Sequence, residues 1–385
     1  MNEDADPTLA KHVAEATMNP TRQLHELGQS LWLDNITRGI LNDGTMQRYI
    51  SELSVTGLTS NPTIFDHAIA DGDAYDDAIR RKGVEGKSGE ALFFELAIED
   101  LVRAADLFRP VHDLTGGVDG WVSLEVSPLL ANDTAGTIAA AAQLHGQAHR
   151  SNVFIKIPGT PEGLPAIEDS IFGGVAINVT LLFSAAQYLA AAEAYMRGIE
   201  RRIAAGLDPR IESVASLFVS RWDVAVNQTV PSALRNLLGI AIAGRTYREY
   251  RALLASPRWR ALAAAGATPQ RLLWASTGTK DPDASDTLYV EALAAPDTIN
   301  TMPDKTLAAF ADHGRVREPM ARDGNDAEAV LAEFAKLGVV AAALAAQLQR
   351  EGTASFDKSW KDLLDRLAAK RAMLASRDRL SGDKR

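Results

Sequence analysis

The 385-residue sequence contains no cysteine. Disulfide bonds, thiolate nucleophiles and cysteine-ligated metal sites are therefore excluded. If the protein uses a nucleophile, it must come from another type of residue.

Long apolar runs are missing as well. No window holds the roughly 20 consecutive apolar residues that a membrane-spanning helix needs. The first 20 residues, MNEDADPTLAKHVAEATMNP, also lack the apolar core of a secretory signal. We therefore expect a cytoplasmic protein without membrane contact, and a mobile N-terminal arm over residues 1–20.

Two further absences narrow the function classes. The formal net charge is -10, and no stripe of Lys and Arg suited to a phosphate backbone is present, which argues against nucleic-acid binding. The phosphate-binding loops GxGxxG and GxxxxGK[ST] do not occur either. An open doubly wound sheet usually carries such a loop, so this fold is disfavoured.

What the sequence does contain is a series of short apolar, β-branched runs separated by longer stretches of helical period. The predicted strands are LWLD (31–34), VTGLTSN (55–61), WVSLEV (121–126), VFIKI (153–157), VAINVT (175–180), VASLFVS (214–220), LLWAS (272–276) and TINT (298–301). A strand followed by a helix, repeated eight times, predicts a (β/α)8 TIM barrel formed by the chain as a single domain.

Two segments lie outside this repeat. Residues 231–270, rich in Ala, Leu and Arg, are predicted to form a helical insertion between the sixth and seventh strands. Residues 323–377 have helical periodicity and are predicted to pack back on the barrel or to form an oligomer contact. An apolar stripe in this region consists of Phe356, Trp360, Leu363, Leu364 and Leu367.

Polar side chains mark the carboxyl ends of the predicted strands. Side chains alternate along a strand. We therefore expect apolar stripes such as Val153, Ile155 and Ile157 to pack against the outer helices, and the alternate side chains, which form a second stripe, to point into the barrel. This second stripe, extended to all strands, contains Asp34, Asn61, Glu125, Lys156, Asn178, Thr180, Ser216, Ser276 and Asn300. In barrels of this type the carboxyl ends of the strands carry the active site.

Lys156 is unusual because it interrupts the apolar run VFIKI, which is followed at once by Pro158 and Gly159. A lysine in a strand is most often a surface or edge residue, or here an ion-pair partner for Glu125. A closed barrel has no edge, so the first alternative fails if the fold is right. The functional alternative is a Schiff-base nucleophile, since a water-poor site favours an uncharged amine that can attack a carbonyl.

Such a mechanism requires two proton transfers. One group must remove water from the carbinolamine, and another must take the proton from the hydroxyl whose C–C bond breaks. Glu125 with Thr180 could hold a water molecule for the first step, and Asp34 could perform the second. A lysine-based mechanism needs no metal or other cofactor.

Five segments that carry these residues resemble the transaldolase family, in its longer bacterial subgroup. They are GLTSNPTIF (57–65), VSLEVSPLL (122–130), FIKIPGTPEGLPAI (154–167), INVTLLFSAAQY (177–188) and SVASLFVSR (213–221). The later stretches LLWASTGTKDP, DTLYVEAL and DTINTMPDKT are similar to the same subgroup. The resemblance covers residues 28–315 in order, and it implies a (β/α)8 barrel with the Schiff-base lysine on the fourth strand.

The resemblance also implies roles for individual residues. Lys156 would be the nucleophile, Asp34 the acid/base at the cleaved bond, and Glu125 with Thr180 the holders of the catalytic water. The dihydroxyacetone unit and the sugar phosphate would be bound by Asn61, Asn178, Thr59, Ser216 and Arg221. Many transaldolases have Ser-x-Arg after the seventh strand, whereas this chain has Ser276-Thr277-Gly278-Thr279-Lys280. Ser276 fits the pattern, and Lys280 is the candidate for the missing basic group.

The sequence therefore predicts a transaldolase that moves dihydroxyacetone from fructose 6-phosphate or sedoheptulose 7-phosphate to erythrose 4-phosphate or glyceraldehyde 3-phosphate, in the non-oxidative pentose phosphate pathway. Two alternatives stay open. One is a fructose-6-phosphate aldolase-type lyase that releases dihydroxyacetone to water, and the other is an inactive sugar-phosphate-binding protein. Either a monomer or a homodimer is compatible with the sequence.

Two other groups of residues have simpler interpretations. His145 and His149 are four residues apart on a predicted helix, but no third ligand accompanies them, so we interpret them as a surface pair and not as a metal site. Trp32, Trp121 and Trp274 lie in predicted strands, and we interpret them as barrel packing.

Overall fold

In the computed structural model, which describes residues 19–382, eight parallel strands close into a barrel in chain order. The strands are β1 Gln29–Asp34, β2 Val55–Thr59, β3 Trp121–Glu125, β4 Val153–Pro158, β5 Ile177–Leu182, β6 Ser213–Phe218, β7 Arg271–Ala275 and β8 Thr298–Met302. The predicted (β/α)8 barrel is thus confirmed. Its strands are buried on both faces, as expected when a parallel sheet is surrounded by helices.

Helices surround the barrel and extend beyond its last strand. In chain order they are α1 Pro20–Glu26, α2 Arg38–Asn42, α3 Thr45–Glu52, α4 Pro62–Asp71, α5 Asp76–Val84, α6 Gly89–Leu114, α7 Thr134–Ala148, α8 Gly163–Phe172, α9 Ala185–Ala204, α10 Ser220–Val226, α11 Leu238–Ala255, α12 Pro257–Ala264, α13 Leu288–Ala292, α14 Asp304–His313, α15 Ala327–Lys336 and α16 Ala341–Gly382. Of the predicted mobile arm, residues 1–18 lie outside the described residues. Asn19 caps α1 through its side chain, and Pro20 begins that helix.

Short polar turns place helix starts directly after strand ends. Asn61 follows β2 and caps α4, because its side-chain oxygen accepts a hydrogen bond from Ile64 N at 3.2 Å. Ser184 follows β5 and caps α9 through Gln187 N, also at 3.2 Å. Each cap satisfies a backbone N–H that has no partner within its helix. The caps therefore fix where the chain turns at the mouth of the barrel.

Aromatic side chains pack inside and beneath the barrel, as predicted for the tryptophans. Trp32 and Trp274 are fully buried, and Trp121 stacks on Phe154 with ring centroids 4.2 Å apart. Gly57 makes room for this packing, because a Cβ at that position would lie 2.6 Å from the Trp32 ring. A larger residue at position 57 would push the indole out of its place.

The C-terminal helix crosses from the side of the barrel to its mouth. Gly338 lies two residues after the end of α15 and has a φ of 85°, a left-handed conformation that suits glycine after a helix. The predicted stripe on α16 packs inward: Phe356, Trp360, Leu363 and Leu367 are buried and Leu364 is partly buried. Trp360 contacts Phe93 edge-on at 4.8 Å, and its indole N–H donates to Glu90 Oε1.

In the predicted insertion, α11 and α12 lie between β6 and β7, and α11 packs against α9 and α15. No single helix within the described residues combines the length and apolar character needed to cross a membrane. Among residues 19–382, one bent pair of helices meets this test by length and composition, and it joins Ala327–Lys336 to Ala341–Arg377 across a 90° bend.

Candidate active site

A cavity of about 360 Å³ opens at the carboxyl ends of the strands. Nine of the eleven predicted site residues line it: Asp34, Thr59, Asn61, Lys156, Thr180, Ser216, Arg221, Ser276 and Lys280. Glu125 and Asn178 are absent from the lining and lie buried beneath it. These residues come from seven of the eight strands or the turns after them, so only closure of the barrel brings them together.

Lys156 lies at the base of this cavity and is only 5% exposed. Its ammonium nitrogen is 3.2 Å from Glu125 Oε2, and the two residues are register partners on neighbouring strands. The nitrogen also donates a hydrogen bond of 2.7 Å to the carbonyl oxygen of Ser60. The ion pair between Lys156 and Glu125, which was one alternative from the sequence, is therefore present, and Lys156 lines the cavity.

Glu125 is the more deeply placed member of this pair. Burial raises the pKa of its carboxyl, while the positive charge and hydrogen bond of Lys156 act in the opposite direction. Within the part of the chain that the structure describes, neither carboxylate oxygen accepts a further hydrogen bond. Both oxygens therefore keep the capacity to accept a hydrogen bond.

Thr180 completes this group from the next strand. Its hydroxyl is fully buried and has no hydrogen-bond partner among residues 19–382. Pro158 of β4 is its register partner, two residues beyond Lys156. An unpartnered buried hydroxyl is costly, and a catalytic role is one explanation for such a group.

Asp34 approaches the cavity from β1. Its carboxylate accepts hydrogen bonds from Thr59 Oγ1 at 2.8 Å and from Asn61 Nδ2 at 3.2 Å. Removal from water nevertheless raises the pKa of Asp34, against the lowering effects of Lys156 and these two donors. A carboxylate with a raised pKa, held in this way, is suited to accept a proton.

Thr301, which was not among the predicted site residues, joins this hydrogen-bond chain. Its hydroxyl is 2.6 Å from that of Thr59. Because Thr59 donates its single proton to Asp34, Thr301 must be the donor to Thr59.

Strand β8 corrects one prediction. Thr301 lines the cavity, whereas Asn300 does not, and Asn300 Oδ1 accepts a hydrogen bond from Thr277. The predicted inward-facing position on β8 was therefore wrong by one residue. The strand ends at Met302 and not at Thr301, and Thr301, the register partner of Trp32, is the residue that faces the cavity.

Asn178 and Ser216 form a polar layer under the lysine. Ser216 Oγ donates to Asn178 Oδ1 at 2.8 Å, and Asn178 Nδ2 donates to Ser123 Oγ at 3.2 Å. Asn178 is the register partner of Lys156 on β5. The layer therefore fixes the amide in place before any ligand arrives.

The opposite end of the cavity is basic. Arg221 follows β6 and packs over the Phe218 ring, with its guanidinium carbon 5.5 Å from the ring centroid. Burial lowers the pKa of Arg221 from its ordinary value, and Glu351 opposes this shift. Ser276 and Lys280 line the same end. Ser276 has a φ of 57°, so it leaves the strand alternation, and its hydroxyl shares a 2.8 Å hydrogen bond with Ser220.

The C-terminal helix also contributes to the cavity through Ser355 and Phe356. Phe356 was predicted only as part of an apolar stripe, without a role in the site. Its periodicity was the available signal, yet periodicity shows only that a face is buried and not what it covers.

The two histidines do not form a site. His145 lies on α7, but His149 follows the end of that helix in a left-handed conformation and is exposed. No group of three His, Asp or Glu side chains suited to a metal ion occurs among residues 19–382.

Comparison with known proteins identifies the family. The profile of the Transaldolase/Fructose-6-phosphate aldolase family matches residues 31–367. This chain belongs to that family. A transaldolase from Thiobacillus denitrificans is 46% identical to it over 90% of this chain and 99% of the relative. A transaldolase from Thermobifida fusca is 46% identical over 91% and 98%, and one from an Arthrobacter species is 46% identical over 90% and 95%.

The predicted family resemblance is thus confirmed along nearly the whole chain. The departure from the Ser-x-Arg pattern of many transaldolases is also visible in the structure, because Gly278 stands at the Arg position and lines the cavity. Lys280, two residues later, lines both this cavity and a neighbouring polar cleft.

Proposed function

We propose that this protein is a transaldolase that transfers a dihydroxyacetone unit between sugar phosphates through a Schiff base on Lys156. The observation that carries the proposal is the position of the Lys156 amino group. It is almost fully buried, lies 3.2 Å from the Glu125 carboxylate, and shares one cavity with Asp34. The family match and the relatives named transaldolase support the same function.

The first half of the reaction forms the imine. The uncharged Lys156 amine attacks the ketone carbon of fructose 6-phosphate or sedoheptulose 7-phosphate, which gives a carbinolamine. Loss of water from this intermediate needs a proton donor, and the raised pKa of Glu125 makes its carboxyl a suitable source. Thr180 and Glu125 would hold the water molecule that relays this proton.

The second half breaks and remakes a carbon–carbon bond. Asp34 takes the proton from the hydroxyl on the fourth carbon, and the bond between the third and fourth carbons breaks as the iminium accepts its electron pair. The aldose phosphate leaves, and a dihydroxyacetone carbanion stays on Lys156. Attack of this carbanion on erythrose 4-phosphate or glyceraldehyde 3-phosphate, with proton return from Asp34, gives the new ketose phosphate bound to Lys156 as its imine. Addition of water to the imine carbon, the reverse of imine formation, then breaks the C–N bond and releases the product and the free amine.

The remaining site residues would bind the two ends of the substrate. We assign Thr59, Asn61 and Ser216, which line the cavity, to the hydroxyls of the dihydroxyacetone unit. Asn178, which accepts a hydrogen bond from Ser216, is assigned to the same unit. The phosphate would lie at the basic end, where a guanidinium and an ammonium are the usual partners of phosphate oxygens. There we assign Arg221, Ser276 and Lys280, all of which line the cavity.

We further expect a cytoplasmic enzyme of the non-oxidative pentose phosphate pathway, either a monomer or a homodimer, with no nucleic-acid partner. The proposed mechanism uses side chains alone and no cofactor. The lyase alternative differs only in the fate of the carbanion. In a lyase the carbanion would take a proton from water instead of attacking an acceptor aldehyde, and dihydroxyacetone would be released. The binding-protein alternative would require a catalytic group to be missing, and Asp34, Glu125, Lys156 and Thr180 are all present.

An acceptor-dependence assay tests the proposal. Purified protein is incubated with fructose 6-phosphate, with and without erythrose 4-phosphate, and the products are quantified. We expect sedoheptulose 7-phosphate and glyceraldehyde 3-phosphate with the acceptor, and little free dihydroxyacetone without it. Dihydroxyacetone as the main product in both samples would establish the lyase instead, and no turnover with intact substrate binding would establish the binding protein.

A further inference from the structure

Strand β5 does not end regularly at the site. Leu181, which follows Thr180, has a φ of 59°, and the register with β6 shifts between Val179 and Leu182. A left-handed conformation is unfavourable for a non-glycine residue. Irregularities of this kind next to active sites re-aim side chains, and here the neighbouring side chain is Thr180.

One side chain from the far end of the sequence contacts this irregular turn. Gln349 of α16 donates its amide protons to two backbone carbonyls, Leu181 O at 3.0 Å and Gly159 O at 2.9 Å. Gly159 lies three residues beyond Lys156, and its N–H donates to Thr180 O at 2.8 Å. The amide of Gln349 therefore bridges the ends of the two strands that carry Lys156 and Thr180.

The next turn of the same helix packs on the same place. A Cβ at Gly352 would lie 3.0 Å from Leu181 Cδ2 and 3.5 Å from a guanidinium nitrogen of Arg221. Close backbone approach at Gly352 lets α16 descend far enough for Gln349 to reach both carbonyls. Ser355 and Phe356, one turn further along, line the cavity itself.

We propose that Gln349 is a positioning residue for the imine-forming step: by holding the Leu181 turn, its amide directs the Thr180 hydroxyl toward Lys156 and Glu125. Gln349 does not line the cavity, so it acts through the backbone and not on the substrate. This role rests on the proposed function, because it presupposes that Thr180 takes part in imine formation.

The test compares three variants with the wild-type protein. Gln349→Ala removes the bridge, and Gln349→Glu keeps its shape but replaces the amide donors with acceptors, so that both carbonyls lose their partner. Gln347→Ala is the matched control, because Gln347 lies on the exposed side of the same helix and donates only to Glu351 among the described residues. Imine formation with fructose 6-phosphate is followed by borohydride quenching at early times, alongside kcat, KM and the melting temperature.

We expect Gln349→Ala and Gln349→Glu to slow imine formation by about tenfold, as two lost hydrogen bonds allow, with KM changed less than about twofold. Gln347→Ala should match the wild type. In a Thr180→Val background, Gln349→Ala should cause almost no further loss, because the two residues act on the same step.

Two results would overturn this role while leaving the proposed function intact. One is a wild-type rate of imine formation in both Gln349 variants, and the other is an undiminished loss from Gln349→Ala in the Thr180→Val background. If the wild-type protein itself forms no trappable imine, the proposed function has failed first.

Discussion

The two ends of the barrel each hold an ion pair with little solvent exposure, but the pairs are built differently. At the amino ends of the strands, Arg271 contacts Asp119 at 3.2 Å. Both oxygens of Asp119 accept further hydrogen bonds, from Ser30 at 2.7 Å and from the Trp32 indole at 3.5 Å. Arg271 also donates to the carbonyls of Val118 and Thr298. This lower pair is surrounded by fixed partners.

At the carboxyl ends, Glu125 has Lys156 as its only direct partner among the described residues, and the Thr180 hydroxyl has none. The lower pair is locked by its network, so its charges have a structural role. In the upper pair, Lys156 lines a cavity and Glu125 retains unused hydrogen-bonding capacity, which a reacting group can take up. Of these two ion pairs, the candidate for chemistry is the one whose carboxylate oxygens lack further hydrogen-bond donors.

The largest expected effect is a loss of activity at the upper pair. Lys156→Ala should lower kcat by about 10⁴-fold or more, because no other group can form the imine. The melting temperature should change little, since the raised pKa of Glu125 lets the carboxyl take a proton once the ammonium is gone. Steady-state transfer kinetics and thermal unfolding of the same preparation measure both quantities. Substantial remaining transfer activity would contradict the assigned nucleophile.

The opposite outcome is expected at the lower pair. Arg271→Ala should reduce the free energy of unfolding by about 3–5 kcal/mol, because Asp119 is left buried without its cation. kcat should stay within about threefold of the wild type wherever the variant is folded, since this end contacts no substrate. Urea unfolding and transfer assays at low temperature test this, and Arg271→Lys provides a milder variant. A large loss of kcat without a loss of stability would break the comparison between the two ends.

The smallest effect concerns pH dependence. Asp34 must be ionised to take a proton, so kcat should fall as the pH decreases through its raised pKa. Thr59→Val removes a donor that favours the ionised carboxylate, so the pKa should rise and the acid limb should move to higher pH, by less than about one unit. Thr59→Ser keeps the hydroxyl and should leave the limb near its wild-type position. A shift to lower pH in Thr59→Val would contradict the role of Asp34.

The strands and the polar residues at their ends could be predicted from the sequence because both follow a local rule. β-branched runs mark the strands, and period-two alternation identified Lys156 and Asp34 on the inner side. Polar residues in an otherwise apolar run were the strongest signal. Once the barrel fold is predicted, its closure is enough to predict that these residues lie in one site.

The parts that could not be predicted depend on exceptions to that rule or on distant contacts. Leu181 and Ser276 adopt left-handed conformations that interrupt the alternation, and nothing in their residue types indicates this. On β8, an error of one position in the strand phase exchanged Asn300 for Thr301. Gln349 and Phe356 reach the site only because α16 folds back over the barrel, which local patterns do not encode.

The central claim, that the Lys156 amino group forms the covalent intermediate, is tested most directly by trapping. The protein is treated with borohydride in the presence of fructose 6-phosphate, digested, and mapped by mass spectrometry. The account predicts a reduced dihydroxyacetone adduct on the peptide that contains Lys156, and no adduct in Lys156→Ala. An adduct on Lys280 or another lysine, or steady transfer with no adduct at all, would contradict it.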